Sequence, residues 1–496
     1  MRPPIPVILR KFPPSFFLIA LAAAFTAGCG EIAPHSPDTT SSGNTSVTVL
    51  SSATANDQLS EFNIDFTSLT LTSQSGKTVT LLSSPLYPEF VHLNGTGEPL
   101  ITVTVPQDIY TSASATLGSA QFTCVSYDSS ENETWTSTFS DMGVPAANVT
   151  VSLAAPITVS GKGMGLSLDL LVTQSASWGT CDSSGVNGPY SITPSFNLTP
   201  VAIAAQPTNS ANGKANGLVG LISSVDVGGT GFSVIGEDGP NLFGPGWRLS
   251  TSSSTVFQGI GGYSQLTAGM PVDMDAAIQP DGSLLATRIS VEDTNTASLS
   301  IFEGPVEGVY APTQEFSIVG REQQGYLDAN AYYDDSMPFS FGTAVFQTSA
   351  QLTNIQSLPF SASFNAVNMV AGQDVYLTSH ALSAASGHLP IPATTITLIP
   401  QTINGTISAI GSEGGFTTYA VTLAPYDLFP ALALQPDQSA ELTNPNTVVV
   451  YADSSAQMLN TTPIAVGSVE RFYGLVFNDN GTLRMDCAQI DNGVAE

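Results

Sequence analysis

The sequence predicts an all-β protein, with an N-terminal β-sandwich followed by three tandem small antiparallel β-barrel units. Apolar side chains alternate with polar ones at a period of two along many short segments, which is typical of strands that bury one face. Clusters of Gly, Pro, Asn and Ser separate these segments, and no long stretch has helical periodicity with caps. Clear examples of the alternation are Phe62, Ile64 and Phe66, then Ile101, Val103 and Val105, then Leu166, Leu168 and Leu170.

The composition argues against one large class of function. The chain has 496 residues, with 11 Lys and Arg against 40 Asp and Glu, and a formal net charge of -29. Only 10% of the residues are charged, compared with roughly 25% in ordinary soluble domains. Nucleic-acid binding rests on clustered Lys and Arg, and no such cluster occurs, so we expect no nucleic-acid partner. With 42% apolar residues the chain can bury a core.

The first 28 residues have the layout of an export signal. Arg2, Arg10 and Lys11 precede an apolar run over residues 16–25, and small residues follow up to Cys29. The segment TAGC at the end resembles a bacterial lipobox, although its first position is Thr rather than the usual Leu. The resemblance implies that Cys29 becomes the lipidated first residue of the mature protein and anchors it to a membrane. The alternative is an ordinary signal peptide cut near Cys29.

The residues that follow the signal predict a flexible tether. Residues 29–46 are polar and rich in Pro, Ser and Thr, which suits a spacer between an anchor and a folded body. The apolar run of the signal is about half the roughly 20 residues that a membrane-spanning helix needs, and no later segment approaches that length. We therefore expect an exported, lipid-anchored protein of the bacterial cell envelope. The outer membrane is the expected location, with the chain facing the periplasm or the cell surface.

Three cysteines remain once Cys29 is assigned to the lipid. Cys124 and Cys181 fall in one predicted domain, and the sequence predicts a disulfide between them. In the chain-entropy model a bridge that closes such a loop stabilises the fold by roughly 4 kcal/mol. Cys487 lies in a strand-like segment and is predicted to be a buried small apolar residue rather than a reactive thiol.

The predicted sandwich covers residues 47–205, and residues 206–216, which lack apolar periodicity, are predicted to be a linker. The domain resembles an uncharacterised domain that opens many bacterial surface lipoproteins. The resemblance rests on FNIDFTSLTLTSQSGKTVTLLSSP, EFVHLNG and LITVTVPQDIYTSASATL, and it is clearest over residues 47–120. It implies a sandwich and an exported location, and it carries no known active residues.

After the linker the chain repeats itself three times, over residues 217–300, 301–400 and 401–496. Each copy opens with a phrase in which a Gly is followed by a Phe 11 or 12 residues later. The three phrases are GLISSVDVGGTGFSVIG, GPVEGVYAPTQEFSIVG and GTISAIGSEGGFTTYAV. Three copies of one β unit explain the pattern. The units resemble a small uncharacterised β-barrel repeat of exported bacterial proteins, which implies five- or six-stranded barrels similar to the oligonucleotide/oligosaccharide-binding (OB) type. An open two-sheet arrangement fits the pattern nearly as well.

One insertion in the second copy stands out chemically. Residues 321–340 interleave aromatic and acidic side chains, which together can hold sugars by stacking and by hydrogen bonds to hydroxyls. The alternative is a decorated surface loop that folds over one end of a barrel. The residues of this candidate ligand-binding loop are Tyr326, Asp328, Tyr332, Tyr333, Asp334 and Asp335.

The sequence predicts no catalytic residues, metal site or cofactor. His380 and His388 flank a short loop without a carboxylate or Cys at ligand spacing, so they are interpreted as structural histidines rather than a zinc pair. Asp273 and Asp275 alternate within one predicted strand. Paired carboxylates can catalyse glycoside hydrolysis or bind Ca²⁺, but a solvated strand face is the favoured interpretation.

Taken together, these features predict a non-enzymatic, lipid-anchored envelope protein that serves as a binding or structural surface module. Its expected partners are the membrane, through Cys29, and a glycan or an envelope protein. The alternatives are a carbohydrate-binding or solute-capture lipoprotein and, less favoured, a carboxylate-dependent glycoside hydrolase.

Overall fold

The alternating segments of the sequence form strands throughout, and the chain is nearly all β. The structure is a computed structural model. It describes residues 43–128, 133–140, 148–177, 180–182, 185–187, 191–208, 210–236, 246–325, 336–349, 355–381, 390–425, 427–432 and 442–495, and for residues 125–128, 133–140, 180–182 and 185–187 it describes the backbone alone. In this part of the chain, no helix is long and apolar enough to cross a membrane.

The N-terminal domain, residues 43–205, forms a ten-stranded sheet and two small two-stranded sheets. Its elements are β1 Asn44–Thr54, β2 Glu61–Ser73, β3 Thr78–Leu82, β4 Glu98–Pro106, β5 Asp108–Asp128, β6 Glu133–Ser140, β7 Asn148–Leu153, β8 Ile157–Val159, β9 Gly163–Leu171, α1 Val172–Ser175, β10 Ala176–Ser177, β11 Thr180–Asp182, β12 Gly185–Asn187, β13 Ser191–Ile192 and β14 Phe196–Val201. The large sheet has the order β3-β2-β5-β7-β14-β9-β1-β4, and both β6 and β8 pair with β5.

The strands of the large sheet follow one hydrogen-bonded path and share one hydrophobic core, and the sandwich that the sequence predicted for them stays a prediction. The ring of Phe66 lies 5.2 Å from that of Phe196 and 6.1 Å from that of Phe90, measured between centroids. All three rings are buried. Aromatic pairs of this kind contribute about 0.5–1.5 kcal/mol beyond the burial of their area.

The first unit follows residues that were predicted to be a linker. These residues contain a 3-10 turn, Ser210–Asn212, and the start of β15. The elements of the unit are β15 Lys214–Val225, β16 Gly231–Gly236, β17 Gly246–Ser250, β18 Val256–Gln258, a 3-10 turn at Tyr263–Gln265, β19 Pro271–Ile278 and β20 Leu284–Val291. The order is β17-β16-β15-β19-β20-β18, and a further pairing of β17 with β20 joins five of these strands into a ring.

The second and third units have related sheets. The second contains β21 Ser300–Tyr310, β22 Glu315–Val319, β23 Glu322–Gly325, β24 Ser336–Ser340, β25 Val345–Thr348, a 3-10 turn at Ile355–Ser357, β26 Asp374–Ser379, β27 Ile391–Pro392 and β28 Thr395–Leu398. The third contains β29 Gln401–Glu413, β30 Phe416–Thr422, α2 Leu428–Leu432, β31 Thr447–Met458, β32 Val469–Asp479 and β33 Thr482–Asn492. The second has the order β25-β28-β26-β21-β22-β24-β27, with β23 paired to β21, and the third is a closed barrel, β29-β30-β31-β33-β32.

Each unit contains parallel strand pairing, which departs from the purely antiparallel pairing that the sequence predicted. A corresponding parallel pair occurs in all three units, as β18 with β20, β25 with β28, and β31 with β33. Alternating side chains report which face of a strand is buried, but they carry no information about the direction of its neighbour.

The Gly that opens each repeated phrase marks a close approach of two strands. A side chain on that Gly would collide with a main-chain oxygen of the second strand of its unit, so only Gly fits. The pairs, with the distance from an added Cβ to the carbonyl oxygen, are Gly220 and Ile235 (2.2 Å), Gly304 and Val319 (1.8 Å), and Gly405 and Thr422 (2.6 Å). The paired Phe is buried on the second strand each time, as Phe232, Phe316 and Phe416.

A register shift follows each of these Gly residues. It lies between residues 222 and 224 in the first unit, 306 and 308 in the second, and 407 and 409 in the third. Such bulges bend a strand and increase its twist. The repeated Gly and the repeated bulge therefore curve the first strand of each unit in the same way.

The sequence predicts two-residue hairpin turns with paired positive φ angles at Asp281-Gly282 and Asn480-Gly481, and the structure shows that these two turns differ. Asn480 and Gly481 both have positive φ, 53° and 88°, as the sequence predicted. At Asp281-Gly282 only Gly282 has a positive φ, 84°, so the prediction of paired positive φ angles was wrong for this turn. Asp281 instead accepts hydrogen bonds from the backbone N–H and the hydroxyl of Ser283, which makes a longer turn.

Candidate functional site

Several predicted site residues lie outside the described part of the chain. Cys29 and the whole signal and tether up to residue 42 belong to this group. The candidate ligand-binding loop also lies outside the described residues, which stop at Gly325, the end of β23, and resume at Ser336, the start of β24. The loop residues so excluded are Tyr326, Asp328, Tyr332, Tyr333, Asp334 and Asp335. Their roles stay predictions.

The predicted disulfide involves one residue whose side chain is described and one whose side chain is not. Cys124 is buried on β5, and β11, which carries Cys181, packs against β5. The side chain of Cys181 lies outside the described residues, so the bond between the two stays a prediction. Cys487 is a buried free cysteine on β33, as the sequence predicted.

Asp273 and Asp275 are buried, so the interpretation of a solvated strand face was wrong. Arg288 on the neighbouring β20 reaches both carboxylates, with Nη2 2.8 Å from Asp273 Oδ1 and Nε 3.2 Å from Asp275 Oδ2. Ser349 of the second unit also donates its hydroxyl to Asp273, at 2.9 Å. Arg288 therefore lies between two buried carboxylates, whereas the alternating sequence pattern suggested that both carboxylates are exposed. An acid pair held by one guanidinium favours a structural role over general acid and base chemistry.

His380 joins the second unit to the end of the first. Its Nδ1 lies 2.8 Å from the carbonyl oxygen of Ala297, and its Nε2 lies 2.9 Å from Asp293 Oδ2. His388 lies outside the described residues. The carboxylate that the local sequence lacks is thus supplied from another unit, and the contact is that of a structural histidine.

A buried ionic cluster connects the N-terminal domain to the second unit. This junction cluster consists of Glu89, His92 and Glu98 from the N-terminal domain and Arg321, Glu322 and Asp374 from the second unit. His92 Nδ1 lies 2.9 Å from Glu89 Oε2 and 3.1 Å from Glu322 Oε1. His92 Nε2 lies 3.6 Å from Glu98 Oε1. One imidazole therefore faces three carboxylates from two parts of the chain.

Arg321 is the second cation of the junction cluster. Its Nε donates to the main-chain oxygen of Ser60 at 2.8 Å, and its Nη1 lies 3.1 Å from Asp374 Oδ2. Its Nε also lies 3.9 Å from Glu89 Oε2. The side chain is 2% exposed. Buried charges of this kind persist because they are paired and hydrogen-bonded.

The junction cluster sets the protonation states of its members. Burial alone would lower the pKa of His92, but Glu322, Glu89 and Glu98 outweigh burial and hold it well above its ordinary value. Burial would raise the pKa of Glu89, but the hydrogen bond from His92 and the charge of Arg321 bring it below its ordinary value. At nearby Glu303 burial outweighs the charges of His92 and Arg321 and raises the pKa to about 7.

Three members of the junction cluster are also close enough to share a metal ion. The ligand atoms of Glu89, His92 and Glu322 lie within 4.8 Å of one another. However, Glu89 already accepts hydrogen bonds from the backbone N–H groups of Phe62 and Val91 as well as that of His92, at 2.7–2.8 Å. His92 would also have to lose the proton on Nδ1 in order to bind a metal. The donor set fits an imidazolium better than a metal ion.

A polar groove lies between the N-terminal domain and the third unit. We call the cavity bounded by β1, β9, β14, β32 and β33 the polar groove; its volume is about 420 Å³. One wall is the sheet face that carries Ser52 and Thr54 on β1, Ser167 and Asp169 on β9, and Asn197 and Thr199 on β14. The opposite wall contains Arg471 on β32 and Gln489 and Asp491 on β33. The lining thus combines many hydroxyl, amide and charged groups with apolar residues such as Leu50, Val201 and Leu459.

The sheet wall of the polar groove is ordered by its own hydrogen bonds. Ser52 donates to Asp169 Oδ1 at 3.2 Å, and Thr54 donates to Asp169 Oδ2 at 3.0 Å. The hydroxyls of Ser52 and Ser167 lie 3.0 Å apart. Burial raises the pKa of Asp169, although the hydrogen bond from Thr54 opposes this. The wall therefore presents hydroxyls in fixed positions.

The third unit is held against the N-terminal domain by Arg471. Its Nη1 donates to Asn94 Oδ1 at 2.7 Å and to the main-chain oxygen of Ala53 at 3.3 Å. Its Nη2 lies 3.4 Å from Asp491 Oδ2. Gln489 adds a hydrogen bond to the main-chain oxygen of Gly95 at 2.8 Å. These contacts fix the spacing between the two walls of the polar groove.

The first unit matches a known protein family. Residues 219–290 match a family described as a domain of unknown function (DUF5666). The matched segment begins within β15 and ends within β20, so it covers the strands of the first unit. No curated protein matches the chain.

Neither the junction cluster nor the polar groove was predicted from the sequence. Glu89 and His92 stand three residues apart in EFVHLNG, which was a visible local signal. Arg321 and Glu322 are adjacent in the second unit, but nothing in the sequence indicates that they face His92. The groove combines strands that are distant in sequence, and period-two alternation identifies its polar side chains only as outward-facing.

Proposed function

We propose that the chain is a non-enzymatic, lipid-anchored protein of the bacterial cell envelope whose packed β modules form a binding or structural surface. The signal layout and Cys29 support the anchor. The scarcity of Lys and Arg supports a partner other than nucleic acid. The buried pairing of Asp273 and Asp275 with Arg288 speaks against the alternative of a carboxylate-dependent hydrolase.

The observation that carries the proposal is the attachment of two units to one N-terminal domain by arginines. Arg321 of the second unit donates to Ser60, and Arg471 of the third unit donates to Ala53. Both acceptors are main-chain oxygens, so the attachment depends on the path of the backbone. A protein whose modules are locked in this way can hold a fixed surface at the end of a tether.

Two measurements test the proposal. Cys29→Ala should move the protein from the membrane fraction to the soluble fraction of the cell envelope, and wild-type processing should be sensitive to globomycin. Wild-type protein should unfold in one calorimetric transition, whereas the double variant Arg321→Gln, Arg471→Gln should show separate transitions for the modules. Arg248→Gln is the matched control, because Arg248 is 56% exposed and pairs with Asp226 inside the first unit. Cytosolic wild-type protein, or a wild type whose modules already unfold independently, contradicts the proposal.

Carbohydrate binding is the second candidate function. Its support is the hydroxyl and amide lining of the polar groove, which adds to the aromatic and acidic composition of the loop at residues 326–335. If the loop holds the sugar, Tyr332→Ala with Tyr333→Ala should abolish binding.

A further inference from the structure

We propose that the polar groove is a binding site for a neutral, hydroxyl-rich ligand, a short saccharide. This inference rests on the binding role proposed above and gives it a place and a ligand class. It does not involve the loop at residues 326–335, which was the ligand site suggested by the sequence.

The sheet wall has the regular spacing that recognition of several hydroxyls requires. Asp169 on β9 stands directly opposite Ser52 on β1 and Asn197 on β14 in the strand register. Thr199 stands opposite Ser167 in the same way. Alternate residues of adjacent strands point to one face, so these polar side chains form a grid on one side of the sheet.

The grid offers both donors and acceptors. Each hydroxyl has one donor and two acceptor positions, and the amide of Asn197 has two donors and two acceptor positions. The hydrogen bonds from Ser52 and Thr54 to Asp169 use the donors of both hydroxyls and leave acceptor positions at both oxygens. A sugar hydroxyl is itself a donor and an acceptor, so it can complement such a surface at every position.

The opposite wall is preorganised by the contacts that hold the third unit. Arg471 and Gln489 each bond to main-chain oxygens of the N-terminal domain. Asn492 accepts a hydrogen bond from the backbone N–H of Thr461 at 3.0 Å, which orders the rim. Groups that are already fixed lose little entropy when a ligand binds.

The charges of the groove disfavour an anionic ligand. Asp169 and Asp491 line the groove, and the chain as a whole carries a net charge of -29, so an anion is repelled. Arg471 on the opposite wall is paired with Asp491, with Nη2 3.4 Å from Oδ2, so it offers an anion little free positive charge. A volume of about 420 Å³ falls within the range of roughly 300–1,000 Å³ that is usual for small-molecule sites.

The direct test is saturation-transfer NMR on the mature chain carrying Cys29→Ala, with maltotriose, cellotriose and chitotriose as probes. At least one trisaccharide should bind the parent protein. Thr199→Trp should weaken that binding at least tenfold, because Thr199 is exposed on the sheet wall and an indole would fill the groove. Thr80→Trp is the matched control, since Thr80 is an exposed strand residue on β3 that does not line the groove, and it should leave binding unchanged.

A milder variant distinguishes a loss of binding from a loss of folding. Ser167→Ala removes one hydroxyl of the grid without adding bulk, and it should weaken binding about threefold to tenfold while the melting temperature stays near that of the parent. Binding that survives both groove variants, or that disappears only with Tyr332→Ala and Tyr333→Ala, overturns the assignment to the groove. Failure of all three saccharides, or binding of Ca²⁺ alone, overturns the ligand class.

The same variants separate this inference from the proposed function. If an envelope protein is captured equally well by the parent and by Thr199→Trp, the binding role stands and the polar groove is not its site. If Cys29→Ala does not change the cell fraction of the protein, the anchor fails, whatever the saccharide result.

Discussion

Nδ1 of His92 lies 3.1 Å from Oε1 of Glu322, across the boundary between the N-terminal domain and the second unit. The two residues are far apart in sequence, and both are largely buried in the fold. The contact links the two modules as an ion pair only while the imidazole is protonated. The protonation of one histidine is therefore coupled to the packing of the modules.

The stability of the protein should fall as the pH rises above neutrality. A group whose pKa is raised on folding stabilises the fold fully below its unfolded pKa, and that stabilisation is lost as the pH rises through the folded value. For His92 the unfolded pKa is about 6.5, and the folded pKa is well above it. Glu303 acts in the same direction between its ordinary pKa of 4.5 and its raised value of about 7.

Urea denaturation at several pH values between 5.5 and 9.5 checks this expectation. The free energy of unfolding of wild-type protein should decrease across the alkaline part of the series, and His92→Gln should flatten the curve. Glu89, whose pKa is lowered, contributes in the opposite sense only at acidic pH, because its stabilisation is lost as the pH falls through its folded pKa. Arg248→Gln, which removes an exposed charge outside the junction cluster that does not titrate in this pH range, should leave the slope in place. Equal slopes for wild type and His92→Gln would disprove the coupling.

Replacing the guanidinium of the junction cluster should be costly. Arg321→Gln leaves the buried carboxylates of Glu89 and Asp374 with less compensation, and breaking a buried pair by removing one partner costs about 3–5 kcal/mol. We expect a loss of that size in the free energy of unfolding, measured with urea at pH 7. Arg248→Gln removes an exposed arginine and should produce no measurable change. A loss within error for Arg321→Gln would mean that water replaces the guanidinium.

The sequence predicted the strands well because burial of one face leaves a local pattern. Phe62, Ile64 and Phe66 alternate in the sequence and are all buried in the N-terminal core. The phrase that begins with Gly304 and ends near Phe316 marked a strand pair because the close approach at Gly304 is a local constraint. No local sequence pattern indicated which strands the shorter strands pair with, or whether those pairs are parallel or antiparallel.

The junction cluster could not be predicted for a related reason. His92, Glu322 and Asp374 belong to three different strands or loops, and each is surrounded in sequence by ordinary apolar and polar neighbours. Asp273 and Asp275 show the same limit, since alternation placed them on one face but could not show that Arg288 covers that face. Contacts between modules depend on how the modules pack, which strand patterns do not encode.

The Gly that opens each repeated phrase should tolerate no side chain. In Gly304→Ala the added Cβ would lie 1.8 Å from the carbonyl oxygen of Val319, and a backbone oxygen in a paired strand cannot move aside easily. We expect a loss of at least about 3 kcal/mol, the upper end of the usual cost of overpacking. Gly342→Ala is the matched control, because nothing lies within 4 Å of an added Cβ there. Similar melting temperatures for the two variants would contradict the close approach.

The thiols should react in a fixed order. Cys487 is 5% exposed, and burial raises its pKa far above the ordinary range, so it should resist iodoacetamide in the native protein and react once the protein is unfolded. Cys124 and Cys181 should react only after both unfolding and reduction, if they form the predicted bridge. Peptide mapping of exported protein after labelling at each stage distinguishes the three cysteines. Rapid native labelling of Cys487 would contradict its burial in β33, and labelling of Cys124 and Cys181 in unfolded, unreduced protein would exclude the disulfide. The bridge would then contribute none of the roughly 4 kcal/mol that the chain-entropy model assigns to a loop of that length.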